Sequence, residues 1–361
     1  MTNLTVSDID KVTVPPETTL KSAMMAINVG AGRVLFVVDG KGRLIGSVTD
    51  GDIRRAILSG AGFNQPVLDI MFKSPRSVRR QERGYRKKAE KLIVEQKLTT
   101  VPVLDEARCI VELIHWHEFL EKHPDEPVEL IAMTNPVVIM AGGKGSRLDP
   151  FTKILPKPLI PLGEKPVLEI IMDNFHKHGF NNFIFTLNYK KELIKLYFKE
   201  NSLSYNIQWV EEEEYLGTAG SLGLLKDKIK ETFFVCNCDI LLENDYRNIL
   251  LWHRGEKADM TIIGCHKEVI LPYGTLEVQG GVLKSIYEKP KYDMIINTGV
   301  YVLEPSMLEL LSGKEHLDMN HLVDKAIAHN RKVTVYPVYG GWFDIGQWKE
   351  YRESLYLLEH N

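Results

Sequence analysis

From residue 136 onward the hydrophobic pattern switches repeatedly between short continuous runs and helical spacing. Val137, Val138, Ile139 and Met140 form an apolar run of the length and character of a strand buried on both faces. Leu168, Ile171, Met172 and Phe175 then recur at helical spacing, and Gly179 follows as a stop signal. Residues 182–188 predict the next strand, 190–200 the next helix, 207–210 a further strand and 233–240 another buried one. This alternation predicts an α/β domain with a Rossmann-like mixed, mainly parallel sheet covered on both faces. Ligands belong at the carboxyl ends of such strands.

The first 120 residues carry a different, weakly duplicated pattern. Leu35-Phe36-Val37-Val38-Asp39 and residues 42–48 read as two short strands around a turn. Thr49-Asp50-Gly51-Asp52 then opens a capped helix with an acidic first turn. The pattern returns more faintly at 101–105 and 109–114, with His115-Trp116-His117-Glu118-Phe119 in place of the helix start. Helix-like segments at 20–28 and 86–96 precede the two copies. The expected organisation is a smaller N-terminal α/β module over 1–122, a linker over 123–135 containing Pro124 and Pro127, and a second domain over 136–361.

Composition narrows the classes. A chain of 361 residues is long enough for two domains, and 44% hydrophobic with 26% charged residues is ordinary for a globular protein. A net charge of −3 gives no argument for nucleic acid or an anionic membrane, and the basic run at 76–88 reads as a solvated helix face. No window approaches about 18 uninterrupted apolar residues, and the N-terminus lacks the basic and apolar regions of a signal peptide. The four cysteines fit a reducing compartment, so a cytoplasmic protein is expected. Cys236 and Cys238 fall on one face of a predicted strand and read as core, since no second Cys/His pair stands at zinc spacing. His115 and His117 likewise lack a third ligand.

The chemistry concentrates where the first apolar run breaks into Ala141, Gly142, Gly143, Lys144, Gly145, Ser146 and Arg147. Three glycines in four positions allow positive φ and bring backbone N–H groups close to a ligand, which suits a phosphate chain. Arg147 and Lys157 add two cations, and prolines at 150, 156 and 158 stiffen the segment carrying Lys157. Neither Walker nor dinucleotide-loop spacing is present. Residues 216–221 form a second small-residue turn, in which Gly217 and Thr218 either approach a nucleoside or simply cap a helix. Asp239 ends an apolar strand and Asp344 sits in Gly-Trp-Phe-Asp-Ile-Gly. Together they offer two hard oxygen ligands for Mg²⁺, which takes the rest of its shell from water and phosphates.

The string GGKGSRLDP followed by PKP resembles the signature of sugar-phosphate nucleotidylyltransferases, and the order of motifs matches that family over roughly residues 136–350. The resemblance implies transfer of a nucleoside monophosphate from an NTP to a sugar 1-phosphate, with pyrophosphate released. It pairs Asp239 with Asp344 on Mg²⁺, and sets Ala141, Gly142, Gly143, Gly145, Ser146, Gly217 and Thr218 on the nucleotide. Gly274, Glu288, Lys289 and Asn297 fall to the sugar phosphate, while Arg147 serves the triphosphate and Lys157 the attacking phosphate.

The tandem units resemble a pair of CBS domains, in which a Thr and an Asp three positions on grip a nucleotide ribose. Thr49 and Asp52 match in the first copy; alignment at the same offset gives Ile114 and His117 in the second, so one purine nucleotide site is expected there at most. A pair that only joins subunits into a homo-oligomer is the competing reading. A CBS pair ahead of a transferase with the segment Asn188-Tyr189-Lys190 resembles glucosamine-1-phosphate guanylyltransferases serving legionaminic acid synthesis, which implies GTP and glucosamine 1-phosphate. Uridylyl or thymidylyl transfer to glucose 1-phosphate, and a non-catalytic nucleotide sensor, are the alternatives.

Overall fold

The computed structural model describes residues 9–29, 34–96, 98–115, 133–201, 203–348 and 350–352. The chain forms two compact units, Met1–Pro127 and Val128–Asn361. The expected linker over 123–135 lies outside the described residues as far as 132. Its last three residues already pack on the second unit: the Met133 N–H donates to Gly179 O (2.9 Å) and the buried Asn135 amide to Thr232 O (2.7 Å). Among the described residues no helix is long and apolar enough to cross a membrane.

In the first unit, β1 (Thr13–Val14), β2 (Val34–Val38) and β3 (Leu44–Thr49) form one sheet, and β4 (Val78–Arg79), β5 (Thr100–Leu104) and β6 (Ile110–His115) form another. Each sheet has a parallel first pair and an antiparallel second pair. The helices Leu20–Val29 and Tyr85–Gln96 precede the hairpins, so the duplication expected from the pattern is present in the backbone. The two sheets meet at the bridge between Arg43 and Cys109 and share a core of Phe36, Leu44, Leu104 and Leu113.

Strand register corrects the alignment of the two copies. Val34 pairs with Thr49 and Thr100 pairs with His115, so His115, not Ile114, is the counterpart of Thr49. Ile114 is fully buried in the apolar cluster of its sheet. A one-residue slip exchanges the two faces of a strand, which is why the fainter sequence pattern misleads. The counterpart of Asp52 becomes Glu118, an acidic residue, rather than His117; both lie outside the described residues, as does Trp116.

The second unit is built on a seven-stranded sheet of order β11-β10-β7-β12-β17-β14-β18. Its members are β7 (Val137–Ala141), β10 (Asn182–Leu187), β11 (Asn206–Glu211), β12 (Phe233–Asn237), β14 (Met260–Ile270), β17 (Lys291–Leu303) and β18 (Val333–Tyr339). Three small pairs complete it: β8 (Pro161–Leu162) with β9 (Lys165–Pro166), β13 (Ile240–Leu242) with β19 (Trp342–Asp344), and β15 (Thr275–Gln279) with β16 (Val282–Tyr287). β17 runs antiparallel to both its neighbours, and the other pairings within the large sheet are parallel, giving the mixed, mainly parallel sheet expected.

The continuous apolar run of β7 has a direct cause. Val137, Ile139 and Ala141 face a core shared with the helices Val167–His176 and Tyr246–Glu256, while Val138 and Met140 face a second core shared with the helix Met319–Ala328. A strand covered on both faces has no polar side to show in its sequence.

Candidate active site

The parallel strands β11, β10, β7 and β12 end side by side. The first residue past each one, Glu212, Asn188, Gly142 and Cys238, lines a single pocket of about 610 Å³. Carboxyl ends of adjacent parallel strands leave such a crevice because the chain must turn away from the sheet there. Gly143, Lys144, Gly145, Ser146, Arg147, Lys157, Gly217, Thr218, Asn237 and Asp239 contribute to the same wall.

Of the three loop glycines only Gly145 takes positive φ, at 67°, where it caps the single turn Ser146–Leu148. Gly142 is needed for space: a methyl group on it would lie 2.5 Å from Glu212 Oε1. Gly143 does not take positive φ, and a methyl group on it would meet nothing within 4 Å, so the structure gives no steric reason for glycine there. Lys144 and Arg147 are exposed at the pocket wall, and neither forms an ion pair among the described residues. Ala141 is buried at the end of β7 and does not reach the wall.

Lys157 lies beneath this loop, and its ammonium is paired with the Asp239 carboxylate. The two side chains are only 18% and 13% exposed. Burial works against the lysine charge, yet Asp239 outweighs it and holds the pKa above the ordinary lysine value. Asp344 reaches the same spot from a different part of the chain. β13 and β19 pair Ile240 with Asp344, and the Ile345 N–H donates to Asp239 O at 2.9 Å. Burial first, then the charge of Asp239, pushes the Asp344 carboxyl above its usual range.

Gly346 locates the point where these groups converge. A methyl group on it would lie 2.6 Å from Asp239 Oδ2, 2.7 Å from Asp344 Oδ1 and 3.0 Å from Lys157 Nζ. Two carboxylates raised in energy by each other around one small space suit a hard divalent cation such as Mg²⁺, which needs few protein ligands. Among the described residues no group of three or more His, Cys, Asp or Glu assembles to hold a metal, so a closed structural zinc site is not formed there. Cys236 and Cys238 are buried, and burial pushes the Cys238 thiol up to about 12. Neither is poised as a thiolate ligand.

The second small-residue turn is tied to its own fold. The Thr218 N–H donates to Asp318 Oδ1 (3.0 Å), and its hydroxyl accepts the Met319 N–H (2.9 Å) at the start of the helix Met319–Ala328. Gly217 and Thr218 nevertheless line the pocket. Gly274, Glu288 and Lys289 do not; they sit on the exposed ribbon formed by the outer ends of β14 and β17 and the hairpin β15–β16. A side-chain carbon on Gly274 would be 3.1 Å from Glu288 Oε2, so these two lie together. Asn297 bonds Tyr301 OH (2.8 Å) and the Gly299 N–H (3.0 Å), one step behind Asn237 of the pocket wall.

Several wall residues are not evident from the sequence. Glu212 is 3% exposed and accepts the Leu216 N–H on Oε2 at 2.9 Å. Burial pushes its carboxyl above the ordinary value. It belongs to the run 211–214 of four glutamates, which reads as a solvated face; only its place one residue past a strand distinguishes it. Asn188, Thr186, Tyr215, Asn237 and Lys144 also line the pocket. In the first unit, Thr49 and Asp52 form a reciprocal capping box at the head of the helix Asp50–Leu58. The Thr49 hydroxyl lies 2.6 Å from Asp52 Oδ2, and Arg55 pairs with Asp52 Oδ1 at 2.8 Å.

Comparison with known proteins agrees with this geometry. Residues 6–59 match the CBS domain profile. The chain is 31% identical over 230 residues to a probable mannose-1-phosphate guanylyltransferase of rice (Oryza sativa subsp. japonica), matching 61% of this chain and 63% of that protein, somewhat under two thirds of its length. It is 33% identical over 238 residues to a probable glucose-1-phosphate cytidylyltransferase of Bacillus subtilis, matching 60% of this chain and 93% of that one. The crystal structure of HddC from Yersinia pseudotuberculosis superposes with a TM-score of 0.51 at 26% identity, covering 62% of this chain and 99% of that chain. The same protein complexed with GMP-PN gives a TM-score of 0.51 at 25% identity. Residues 136–361 match the profile of the nucleotidyl transferases, and with the glycine loop, Lys157 and the two aspartates gathered at the strand ends, the chain belongs to that family.

Proposed function

We propose that the second unit transfers GMP from GTP to a sugar 1-phosphate, giving a GDP-sugar and pyrophosphate. The observation that carries the base choice is the buried Glu212 carboxylate in the pocket wall. An ionised carboxylate only accepts hydrogen bonds, and with about four lone-pair sites it keeps accepting capacity beyond the bonds from the Leu216 N–H and the Thr186 hydroxyl. Guanine alone among the common bases presents two adjacent N–H donors on its pairing edge. Those donors offset the cost of ionising a buried acid, whereas uracil or thymine would turn carbonyl oxygens toward it. The complex of HddC with GMP-PN and the guanylyltransferase name of the rice relative support the same choice.

The chemistry asked of the protein is positioning and charge neutralisation. A phosphate monoester is ionised near neutral pH, so its oxygen attacks the α-phosphorus without a general base; the new P–O bond forms as the bond to the β-phosphate breaks. Loop N–H groups with Lys144 and Arg147 hold the triphosphate, and Lys157 serves the incoming phosphate. Asp239 and Asp344 are the residues that would hold Mg²⁺, and a bound Mg²⁺ supplies neutralisation of phosphate charge.

Glucosamine 1-phosphate is the proposed acceptor, in a route to legionaminic acid for bacterial surface glycans. The support is the CBS domain ahead of the transferase and the segment at 188–190, which braces the helical turn Phe151–Ile154 that follows the glycine loop: Tyr189 OH donates to Thr152 O (3.2 Å) and Lys190 Nζ to Ile154 O (2.8 Å). The first unit is proposed as a homo-oligomer contact that takes a purine nucleotide effector. Pyrophosphate release over a grid of four NTPs against glucose-, glucosamine-, N-acetylglucosamine- and mannose-1-phosphate tests the reading. A signal confined to GTP with glucosamine 1-phosphate is expected; silence across the grid would overturn the enzyme reading.

A further inference from the structure

We infer that Lys157 is a resident counter-ion of the metal site, holding the place of the divalent cation between Asp239 and Asp344 and leaving it when the cation binds. This rests on the proposed metal role of the two aspartates. The carboxylates face one point beside Gly346, with Asp239 Oδ2 and Asp344 Oδ1 at 2.6 and 2.7 Å from a methyl position on that residue; Lys157 Nζ stands 3.0 Å from the same position. A cation coordinated by both aspartates and the present ammonium therefore compete for one small volume. Two positive charges a few ångströms apart in a largely enclosed site, with the Lys157 and Asp239 side chains 18% and 13% exposed, repel strongly.

The lysine has somewhere to go. Lys157 is a residue of the pocket wall, and its side chain passes under Gly145, where a side-chain carbon would meet Lys157 Cβ at 2.9 Å and Cδ at 3.3 Å. The base of the side chain is thus fixed by the loop while its end swings on the remaining torsions. Released from Asp239, the ammonium is left without a carboxylate at the pocket floor, free to take a phosphate oxygen. Cation binding and presentation of Lys157 to substrate become one event, so the lysine is not offered to an anion before the metal has arrived.

The test is Mn²⁺ binding to the full chain, followed by the electron paramagnetic resonance signal of the free ion, with no nucleotide or sugar phosphate present. Lys157→Met should bind Mn²⁺ at least about tenfold tighter than the wild type, because the competitor is gone. Lys157→Arg should keep the weak binding, and Lys144→Met, which removes a pocket cation that is not paired with either aspartate, should leave it unchanged. Asp239→Asn should abolish it, identifying the site. Equal or weaker binding by Lys157→Met, or an equal gain in Lys144→Met, would overturn the counter-ion role. No Mn²⁺ binding by wild type and Lys157→Met alike, with normal melting curves, would instead overturn the metal reading itself and the inference with it.

Discussion

The Oε1 oxygen of Glu212 lies so close to the Cα of Gly142 that a methyl group added there would stand 2.5 Å from it. The carboxylate and the first glycine of the loop are therefore one unit, joining the ends of β7 and β11 across β10. Gly142→Ala must displace the carboxylate into the pocket or shift the loop. We expect kcat/KM for the nucleotide to fall by about tenfold or more while the circular dichroism spectrum stays native. Normal kinetics in this variant would mean that Glu212 has no part in nucleotide binding.

Glu212→Gln tests the base choice directly. The carboxamide offers one acceptor and one donor, a match for the N–H and carbonyl of uracil or thymine rather than for the paired donors of guanine. GTP use should drop by roughly a hundredfold and UTP or dTTP should gain relative to it. The measurement is kcat/KM for each NTP at saturating sugar 1-phosphate, and an unaltered ranking would count against the assignment.

Asp344 should cost stability when ionised. Its folded pKa is raised by burial and by Asp239, so its favourable contribution is present below the ordinary carboxyl value near about 4 and is lost as pH rises through the higher folded value. Asp344→Asn keeps the oxygen that accepts the Gly346 N–H (2.8 Å) and removes the charge. In metal-free buffer at neutral pH this variant should melt a few degrees above the wild type, with the gap closing toward pH 4, while pyrophosphate release is lost. A lower melting temperature at neutral pH would contradict the electrostatic account.

In the first unit, Thr49→Val removes the hydroxyl half of the capping box, leaving the bond from the residue-49 N–H to Asp52, and should cost about 1 kcal/mol in denaturant unfolding of that unit, with Thr49→Ser near wild type. A ribose gripped by Thr49 and Asp52 has to exchange with this mutual bond. Titration of activity with AMP, ADP, ATP and GDP should therefore show an effect in the wild type that Thr49→Val loses. A flat response to every nucleotide would remove the regulatory role and leave subunit contact as the function of the unit.

Much of the site is legible in the linear chain. The loop glycines at 142, 143 and 145, Ser146, Arg147, Lys157, Asp239, Gly217 and Thr218 stand out by residue type and spacing, and they do line one pocket. The misses have definite causes. Glu212 looks like one member of an acidic run, because only the sheet order decides which of four consecutive glutamates is turned inward. The second copy of the N-terminal repeat aligns one residue out, since a faint two-residue period does not fix register when both faces are partly apolar. Gly274, Glu288 and Lys289 share an exposed ribbon outside the pocket wall, a separation that linear motif order does not contain.

The sequence by itself determined the local facts: strands buried on both faces from their unbroken apolar runs, a turn rich in glycine, cations and carboxylates at strand ends. Each depends on neighbours along the chain. Tertiary structure decided which ends meet. Asp239 and Asp344 are 105 positions apart, and only the pairing of β13 with β19 brings them to one point with Lys157. Charge interactions of that kind depend on separation in space, which the fold sets and the linear order of residues does not.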